Sequence, residues 1–269
     1  MLKKFLLGSF LLFAVLYAAA AIMLDADSRP IPAFQGDRAG YQTITIFGAS
    51  GTAGDGILKA ALADPDIHRI HVITRRVTPR MEEGVASGKL QMALHKDYTD
   101  YTAVRDQVSD SDAVYWAIGT SSVGVDEKTY ARIHVDFPMR FLEEWVSVSS
   151  KPNTVFHYIS SSDISEKSSS MWARQKFRAE KSLAAFANNH ELKVIAYRPD
   201  YIRPTQEQAH IGQDLLFWFF RPVGAAVRAR QIGQAMIEVS ARRSGFANGD
   251  KIGTRSIISY SDAYEQGRQ

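Results

Sequence analysis

Residues 43–54 read Thr43-Ile44-Thr45-Ile46-Phe47-Gly48-Ala49-Ser50-Gly51-Thr52-Ala53-Gly54, and a helical pattern follows from Asp55 to Leu62. The first five residues are β-branched or aromatic, which is typical of a buried strand. Three glycines then recur within a predicted turn, after which apolar residues recur at helical spacing. The stretch therefore predicts a strand, a tight turn and a helix, which is the opening of a βαβ unit.

The three glycines of this turn have separate physical roles. Gly48 lets the chain turn off the strand, Gly51 leaves room for a pyrophosphate, and Gly54 allows the helix to pack close to the strand. Free N–H groups at the helix start then bind phosphate. We therefore predict a dinucleotide-binding loop whose cofactor contacts are Gly48, Ser50, Gly51, Thr52, Ala53 and Gly54. The spacing is G-x-x-G-x-x-G rather than G-x-G-x-x-G, so a generic loop is the alternative.

The composition limits the function classes. The chain has 269 residues, of which 45% are hydrophobic and 23% charged, so it can form one large domain. The net charge of +3 comes without a long basic run, which argues against a nucleic-acid partner. There is no cysteine, which excludes disulfides and thiolate chemistry. The seven histidines show no ligand spacing, so no metal site is expected.

The N-terminal segment has its own character. After Lys3 and Lys4, residues 5–24 are uncharged and mostly apolar, long enough as a helix to cover the ~30 Å core of a bilayer. We predict a membrane anchor within residues 1–24. The alternative is a cleaved secretory signal that ends at Ala18-Ala19-Ala20. The side of the membrane is left open.

A polar segment joins this region to the rest of the chain. Residues 25–40 contain Pro30, Pro32 and Gly36, and they predict a linker. Residues 41–269 then form the globular part.

Strand and helix patterns alternate along that part. A helix is expected around Tyr130 to Trp145, with Pro138 as a kink or boundary, and another from about Met171 to Asn188. The alternation predicts an α/β fold, a single-domain, doubly wound parallel sheet of the Rossmann type, preceded by a hydrophobic N-terminal helix. After the first strand, the predicted strands are 69–74, 90–94, 112–118, 154–159 and 193–197.

Residues at the strand ends are candidates for further cofactor contacts. The second strand ends in Arg75 and Arg76, and arginine there suits the 2′-phosphate of NADP(H), two solvated arginines being the alternative. Asp97 and Tyr98 follow the third strand, where they are predicted to border the adenine. Four residues at the end of the fourth strand and just after it are predicted to lie against the ribose and nicotinamide: Ala117, Ile118, Gly119 and Thr120. Ordinary strand-end turns are the alternative for both groups.

Several motifs occur in register along the chain: Gly48-Ala49-Ser50-Gly51-Thr52-Ala53-Gly54, Arg75-Arg76, Ile118-Gly119-Thr120, Arg132-Ile133-His134-Val135-Asp136-Phe137, Ser160-Ser161, Lys176 and Arg198-Pro199. Their order and spacing resemble those of atypical short-chain dehydrogenases/reductases, with the Tat-interacting-protein group of NADP-binding proteins nearest. The resemblance covers roughly residues 43–262. It implies a Rossmann fold, NADP(H) binding, and a catalytic Ser, Tyr and Lys, with Tyr and Lys four residues apart on one helix.

The sequence departs from this pattern at the tyrosine. Trp172 stands four residues before Lys176, and an indole N–H donates a hydrogen bond but supplies no proton at neutral pH. By the resemblance, Lys176 binds the ribose and Ser161 hydrogen-bonds a carbonyl, so Ser161, Trp172 and Lys176 are the candidate catalytic residues. A surface lysine, a serine-rich turn and a packing tryptophan are the alternatives.

The stretch Leu215-Leu216-Phe217-Trp218-Phe219-Phe220 is the most apolar piece after the N-terminal segment. A lid over the nicotinamide, a membrane-dipping surface and a core helix are the three interpretations.

Two functions follow from these predictions. The first is a membrane-associated, NADP(H)-binding oxidoreductase with an altered active site and an unidentified small-molecule substrate. The second is a non-catalytic NADPH sensor or scaffold for a protein partner.

Overall fold

A computed structural model describes residues 2–26, 30–36 and 41–269. The strands are β1 (Thr43–Phe47), β2 (Arg69–Thr74), β3 (Leu90–Leu94), β4 (Ala113–Trp116), β5 (Thr154–Ile159), β6 (Leu192–Arg198), β7 (Tyr201–Arg203), β8 (Ala226–Arg228) and β9 (Lys251–Gly253). The α-helices are α1 (Leu2–Ala26), α2 (Thr52–Ala63), α3 (Pro79–Ala86), α4 (Arg105–Val108), α5 (Glu127–Ala131), α6 (Phe137–Val148), α7 (Met171–Ala187), α8 (Ile211–Phe220), α9 (Ala229–Ala241) and α10 (Thr254–Gln266).

The main sheet has seven parallel strands in the order β3-β2-β1-β4-β5-β6-β9. Its strands are almost continuously apolar because helices cover both faces. One face packs against α2, α9 and α10, and the other against α6 and α7. The predicted doubly wound, single-domain Rossmann fold is confirmed.

The strand predictions hold best where the apolar runs are longest. β1, β2, β3 and β5 have the predicted bounds, while β4 is shorter than residues 112–118 and β6 is one residue longer at each end. β7 and β8 form a separate parallel pair, and β9 extends the main sheet beside β6. These three short strands were not predicted from the sequence.

The helix predicted around Tyr130 to Trp145 is divided. A π-helical turn, Arg132–Asp136, separates α5 from α6, and Pro138 lies in the first turn of α6. Proline is tolerated there because the first N–H groups of a helix have no intrahelical acceptor. Pro138 is therefore a helix start rather than a kink.

The N-terminal helix is present as α1, and residues 25 and 26 of the predicted linker continue it. Residues 30–36 form neither helix nor strand, and the linker positions 27–29 and 37–40 lie outside the described residues. Over the described part of the chain, no helix combines the length and the apolar character that crossing a membrane requires. The predicted membrane span is therefore not supported.

The apolar stretch at residues 215–220 forms most of α8. Phe217 is fully buried, whereas Leu215 and Trp218 are 69% and 60% exposed. The core-helix interpretation is therefore wrong for residues 215, 216, 218 and 219, which are exposed. It holds only for Phe217 and, in part, for the half-buried Phe220. The Tyr17 hydroxyl of α1 donates a hydrogen bond to the Phe219 carbonyl, and the two rings stack with centroids 5.5 Å apart.

Candidate functional site

The strand order reverses beside β1. From β1 the chain continues to β2 and β3 on one side, and then crosses back to β4, β5, β6 and β9 on the other. A crevice forms where crossovers leave in opposite directions, at the carboxyl ends of the strands, and ligands of such sheets bind there. The predicted site residues follow the carboxyl ends of β1 to β5 and so share this edge.

The glycine loop follows β1. Gly48 has a φ of +76°, and a Cβ there would lie 2.6 Å from the Ala117 backbone at the end of β4. A Cβ on Gly54 would lie 2.0 Å from the Gly48 carbonyl oxygen. Both positions require glycine for the fold itself, as the predicted turn and the predicted close helix packing demand.

Gly51 differs from the other two glycines. A Cβ there would be 3.4 Å from its nearest neighbour, so the surrounding protein does not demand glycine. Gly51 is the N-cap of α2, and no side chain of the described residues caps this end. Thr52, Ala53 and Gly54 thus begin a helix whose first N–H groups are available to an anion. The loop fits a pyrophosphate.

The ends of β2 and β3 lie next to this loop. The exposed Arg76 side chain donates to the Ser50 carbonyl of the glycine loop at 3.2 Å, and Arg75 is exposed beside it. The Asp97 carboxylate accepts bonds from the backbone N–H and the hydroxyl of Thr99, which lower its pKa. Tyr98 is buried, with its ring 5.6 Å from that of Phe137. Its predicted adenine contact stays a prediction, as does that of Asp97.

The turn after β4 packs against α5 and the π-helical turn. The Thr120 N–H donates to His134 Nε2 at 3.2 Å, and the His134 ring lies 4.1 Å from that of Tyr130. Burial, reinforced by the nearby Lys176 ammonium, lowers the pKa of His134 far below its usual value, so this imidazole is neutral. The backbone of Ala117 and Ile118 lies against Gly48, and Gly119 is exposed at the crevice.

Lys176 is the central polar group at this edge. Its side chain is 6% exposed, and Nζ donates to the Ile159 carbonyl at the end of β5 at 2.7 Å. Nζ also lies 4.9 Å from the centre of the Tyr158 ring. Burial lowers the pKa of Lys176 to about 7, and Glu180, one turn along α7, offsets only part of that effect.

Glu180 is held by another cation. Its carboxylate accepts two bonds from the Arg198 guanidinium, at 2.9 and 2.5 Å. This fork-shaped contact satisfies both carboxylate oxygens. Among the described residues, Lys176 forms no ion pair. Its buried ammonium contacts the Ile159 carbonyl oxygen and the face of the Tyr158 ring.

The remaining predicted catalytic residues lie around Lys176. Trp172 is half-buried one helical turn earlier on α7, on the same face, and Ser161 is half-buried two residues after Ile159. Ser160, between them, is buried, and its hydroxyl has no hydrogen-bond partner among the described residues. The structure thus brings the predicted serine turn and lysine together, with Trp172 beside them.

A family comparison agrees with this geometry. The family model described as "NAD dependent epimerase/dehydratase family" matches residues 44–202, which is more than half of the chain and runs from β1 to β7. The chain belongs to this family. The resemblance to atypical short-chain dehydrogenases/reductases is thereby confirmed, whereas the narrower Tat-interacting-protein group stays a prediction.

Solved structures share the fold of this epimerase/dehydratase family member at low sequence identity. No curated protein matches the sequence. A 3-oxoacyl-[acyl-carrier protein] reductase from Brucella melitensis in complex with NAD is 17% identical, with 81% of this chain and 97% of that chain covered and a TM-score of 0.62. A UDP-N-acetylglucosamine 4-epimerase from Methanobrevibacter ruminantium M1 is 17% identical, with 79% and 76% covered and a TM-score of 0.59. A short-chain dehydrogenase/reductase from Serratia marcescens is 13% identical, with 81% and 97% covered and a TM-score of 0.62.

Sequence reasoning missed several groups of the site. His134 and Arg198 were quoted as motif residues, but their contacts with Thr120 and Glu180 join distant parts of the chain. Neither the neutral imidazole nor the occupied carboxylate has a local sequence signal. The sequence also did not distinguish Ser160, whose hydroxyl has no partner among the described residues, from the two serines that follow it.

Proposed function

We propose that this protein is an NADP(H)-dependent oxidoreductase that reduces a carbonyl group with Lys176 as its proton donor. The observation that carries the proposal is the state of Lys176, a buried amine without a carboxylate partner at the edge of the sheet that also carries the glycine loop. A buried lysine of this kind loses and regains its proton near neutral pH.

The cofactor is assigned to the glycine loop and the strand ends around it. The free N–H groups of Thr52 to Gly54 would hold the pyrophosphate, and Arg75 and Arg76 would hold the 2′-phosphate. Ile118 to Thr120 would face the nicotinamide half. Bound there, NADPH supplies a hydride to the carbonyl carbon of the substrate.

The proton has to come from the protein or from water. In the resembling family the tyrosine hydroxyl provides it, and Trp172 has no such group. The Lys176 ammonium donates an N–H proton to the carbonyl oxygen as the C=O π bond breaks, and the neutral amine then takes a proton from water. The nearby Ser161 hydroxyl donates a hydrogen bond to the same oxygen and orients it.

A second function is favoured by one observation. Trp172 replaces the residue that the family uses for proton transfer, as expected of a protein that binds NADPH and no longer turns over a substrate. This alternative predicts NADPH binding without measurable carbonyl reduction at any pH.

The experiment that separates the two is steady-state oxidation of NADPH with a reactive dicarbonyl or quinone. The proposal expects turnover that falls as the pH rises above about 7, because only protonated Lys176 donates. Tight NADPH binding without turnover would support the sensor, and absence of NADPH binding would refute both.

A further inference from the structure

A cavity of about 690 Å³ lies away from the glycine loop, between α1, residues 30 and 31, the end of α8 and α10. Apolar side chains form most of its wall, with contributions from Ile22, Leu24, Ile31, Pro222 and Ile258. A space of this size is within the ~300–1,000 Å³ typical of small-molecule sites. The wall suits a hydrocarbon chain.

Two arginines stand in this wall. Arg221 Nη1 is buried and has no hydrogen-bond partner among the described residues. Its guanidinium lies 5.5 Å from the centre of the Phe217 ring, which Arg203 and Arg228 also contact from 5.2 Å. Arg203 is paired with Asp214, whereas Arg221 forms no ion pair with a described carboxylate. Nη1 itself is closed off from the cavity, but the rest of the half-buried Arg221 side chain lines it. An anionic ligand there would meet a charge that no described carboxylate pairs with.

The second arginine is Arg255, which is half-buried at the start of α10. It also lines a smaller cavity of about 320 Å³ that continues to Asp200, two residues after the end of β6. Arg255 therefore lies between the large cavity and the carboxyl edge of the sheet.

Among the described residues that line the large cavity, Asp262 is the one acidic residue, and it is exposed on α10. Burial and Glu265 raise its pKa, while Arg221 acts in the opposite direction. Asp262 therefore reduces the attraction of the cavity for anions, but it forms no ion pair with Arg221.

We propose that this cavity binds an anionic amphiphile, with its hydrocarbon chain against the apolar wall and its carboxylate or phosphate head on Arg221 and Arg255. The apolar wall and the two lining arginines favour this class, and Arg221 has no ion pair with a described carboxylate. A neutral lipid would leave the Arg221 charge uncompensated, and a small inorganic anion would leave the apolar wall uncovered.

The experiment uses the full chain and the fluorescent probe 11-(dansylamino)undecanoate below its micellar concentration. We expect saturable binding, weakened about tenfold or more by Arg221→Gln, because a hydrogen bond to a charged group is worth roughly that factor. Asp262→Asn should tighten binding because it removes the opposing charge. Arg178→Gln, at an exposed arginine of α7, is the matched control and should change nothing.

Two further measurements test the charge dependence of binding. Dodecyltrimethylammonium has a similar chain and a positive head, so it should not displace the probe. Arg221→Lys keeps the charge and should recover part of the affinity if Arg221→Gln is folded. Equal competition by cationic and anionic amphiphiles, or a probe affinity unchanged by Arg221→Gln, would overturn the proposal.

The source of the ligand is resolved by a vesicle assay. Sedimentation with phosphatidylglycerol vesicles that Arg221→Gln reduces, without sedimentation on phosphatidylcholine, would identify a membrane lipid. Binding of the soluble probe with no such vesicle dependence would identify a free amphiphile. Both outcomes support the anionic amphiphile site, and failure of both probe and vesicles to bind would refute it.

Discussion

Replacement of Lys176 tests the proposed proton transfer most sharply. Its Nζ is buried on the Ile159 carbonyl, and burial brings its pKa to about 7. At pH 7 about half of the molecules then carry the proton, at pH 8 about a tenth, and at pH 9 about a hundredth. The rate of carbonyl reduction at saturating NADPH should follow this fraction.

The size of the effect comes from general acid catalysis, which contributes roughly a hundred- to ten-thousandfold. Lys176→Met should lose that factor. Lys176→Arg keeps a positive charge near the ribose, but arginine stays protonated throughout the accessible pH range. It should therefore keep NADPH affinity within a few fold while its residual rate becomes independent of pH between 6 and 9.

Trp172→Tyr is the complementary change. A tyrosine at this position lies one turn before Lys176 on the same helical face, where a hydroxyl is available to donate the proton. It should raise turnover when Lys176 is present. In the Lys176→Met background the gain should be smaller, because the hydroxyl lacks the neighbouring ammonium that lowers its pKa.

The assay is stopped-flow NADPH oxidation with a reactive dicarbonyl, with NADPH affinity measured separately by fluorescence. A rate that does not change between pH 6 and 9 in the unmutated protein would refute Lys176 as the donor. So would full activity in Lys176→Met at saturating NADPH. Loss of NADPH affinity alone would instead assign Lys176 to ribose binding.

Three other predictions concern the cofactor and the folded state. Replacing Arg75 and Arg76 with serine should erase a preference for NADPH over NADH of about ten- to a hundredfold, measured by titration, because charged contacts to phosphate contribute roughly 1.5–3 kcal/mol. Glu180→Gln should lower the free energy of unfolding in urea by about 3–5 kcal/mol, because it leaves a partly buried arginine unpaired. Burial lowers the pKa of His157 to about 3, so the unfolded chain binds a proton below pH 6.5 that the folded protein excludes. This histidine alone should lower the stability by up to about 1.4 kcal/mol per pH unit from pH 6.5 toward pH 3, and the buried, neutral His134 adds to the fall.

Matched measurements decide each of these outcomes. Equal affinity for the two cofactors in the unmutated protein would exclude 2′-phosphate recognition by the arginine pair. Glu143→Gln is the control for Glu180, because its ion pair with Arg140 is exposed and such pairs contribute about 0.2–1 kcal/mol. An unfolding free energy that is constant between pH 6.5 and 4 would refute the assignment of His157 as a buried neutral group.

The sequence was most informative where local patterns were strong. The bounds of β1, β2 and β3 followed from β-branched and apolar runs, and the roles of Gly48 and Gly54 in the fold followed from turn geometry. Trp172 was found by counting four residues back from Lys176. These features depend on neighbours in the chain.

The features that could not be predicted depend on distant contacts. β7 and β8 have three residues each and form because they pair with each other. The low pKa of Lys176 depends on its burial beside Ile159, which Glu180 offsets only in part. The apolar stretch of α8 has the composition of a core helix, and only tertiary packing reveals that Phe217 is its one fully buried residue.

A direct test of the central claim is titration of the full chain with NADPH, followed by the fluorescence of bound nicotinamide. We expect one saturable site at the glycine loop and the uncapped start of α2. NADPH should bind there at least about tenfold more tightly than NADH, because Arg75 and Arg76 contact the 2′-phosphate. Fluorescence that rises without saturation, or titrations that show no binding of either nucleotide, would contradict the account.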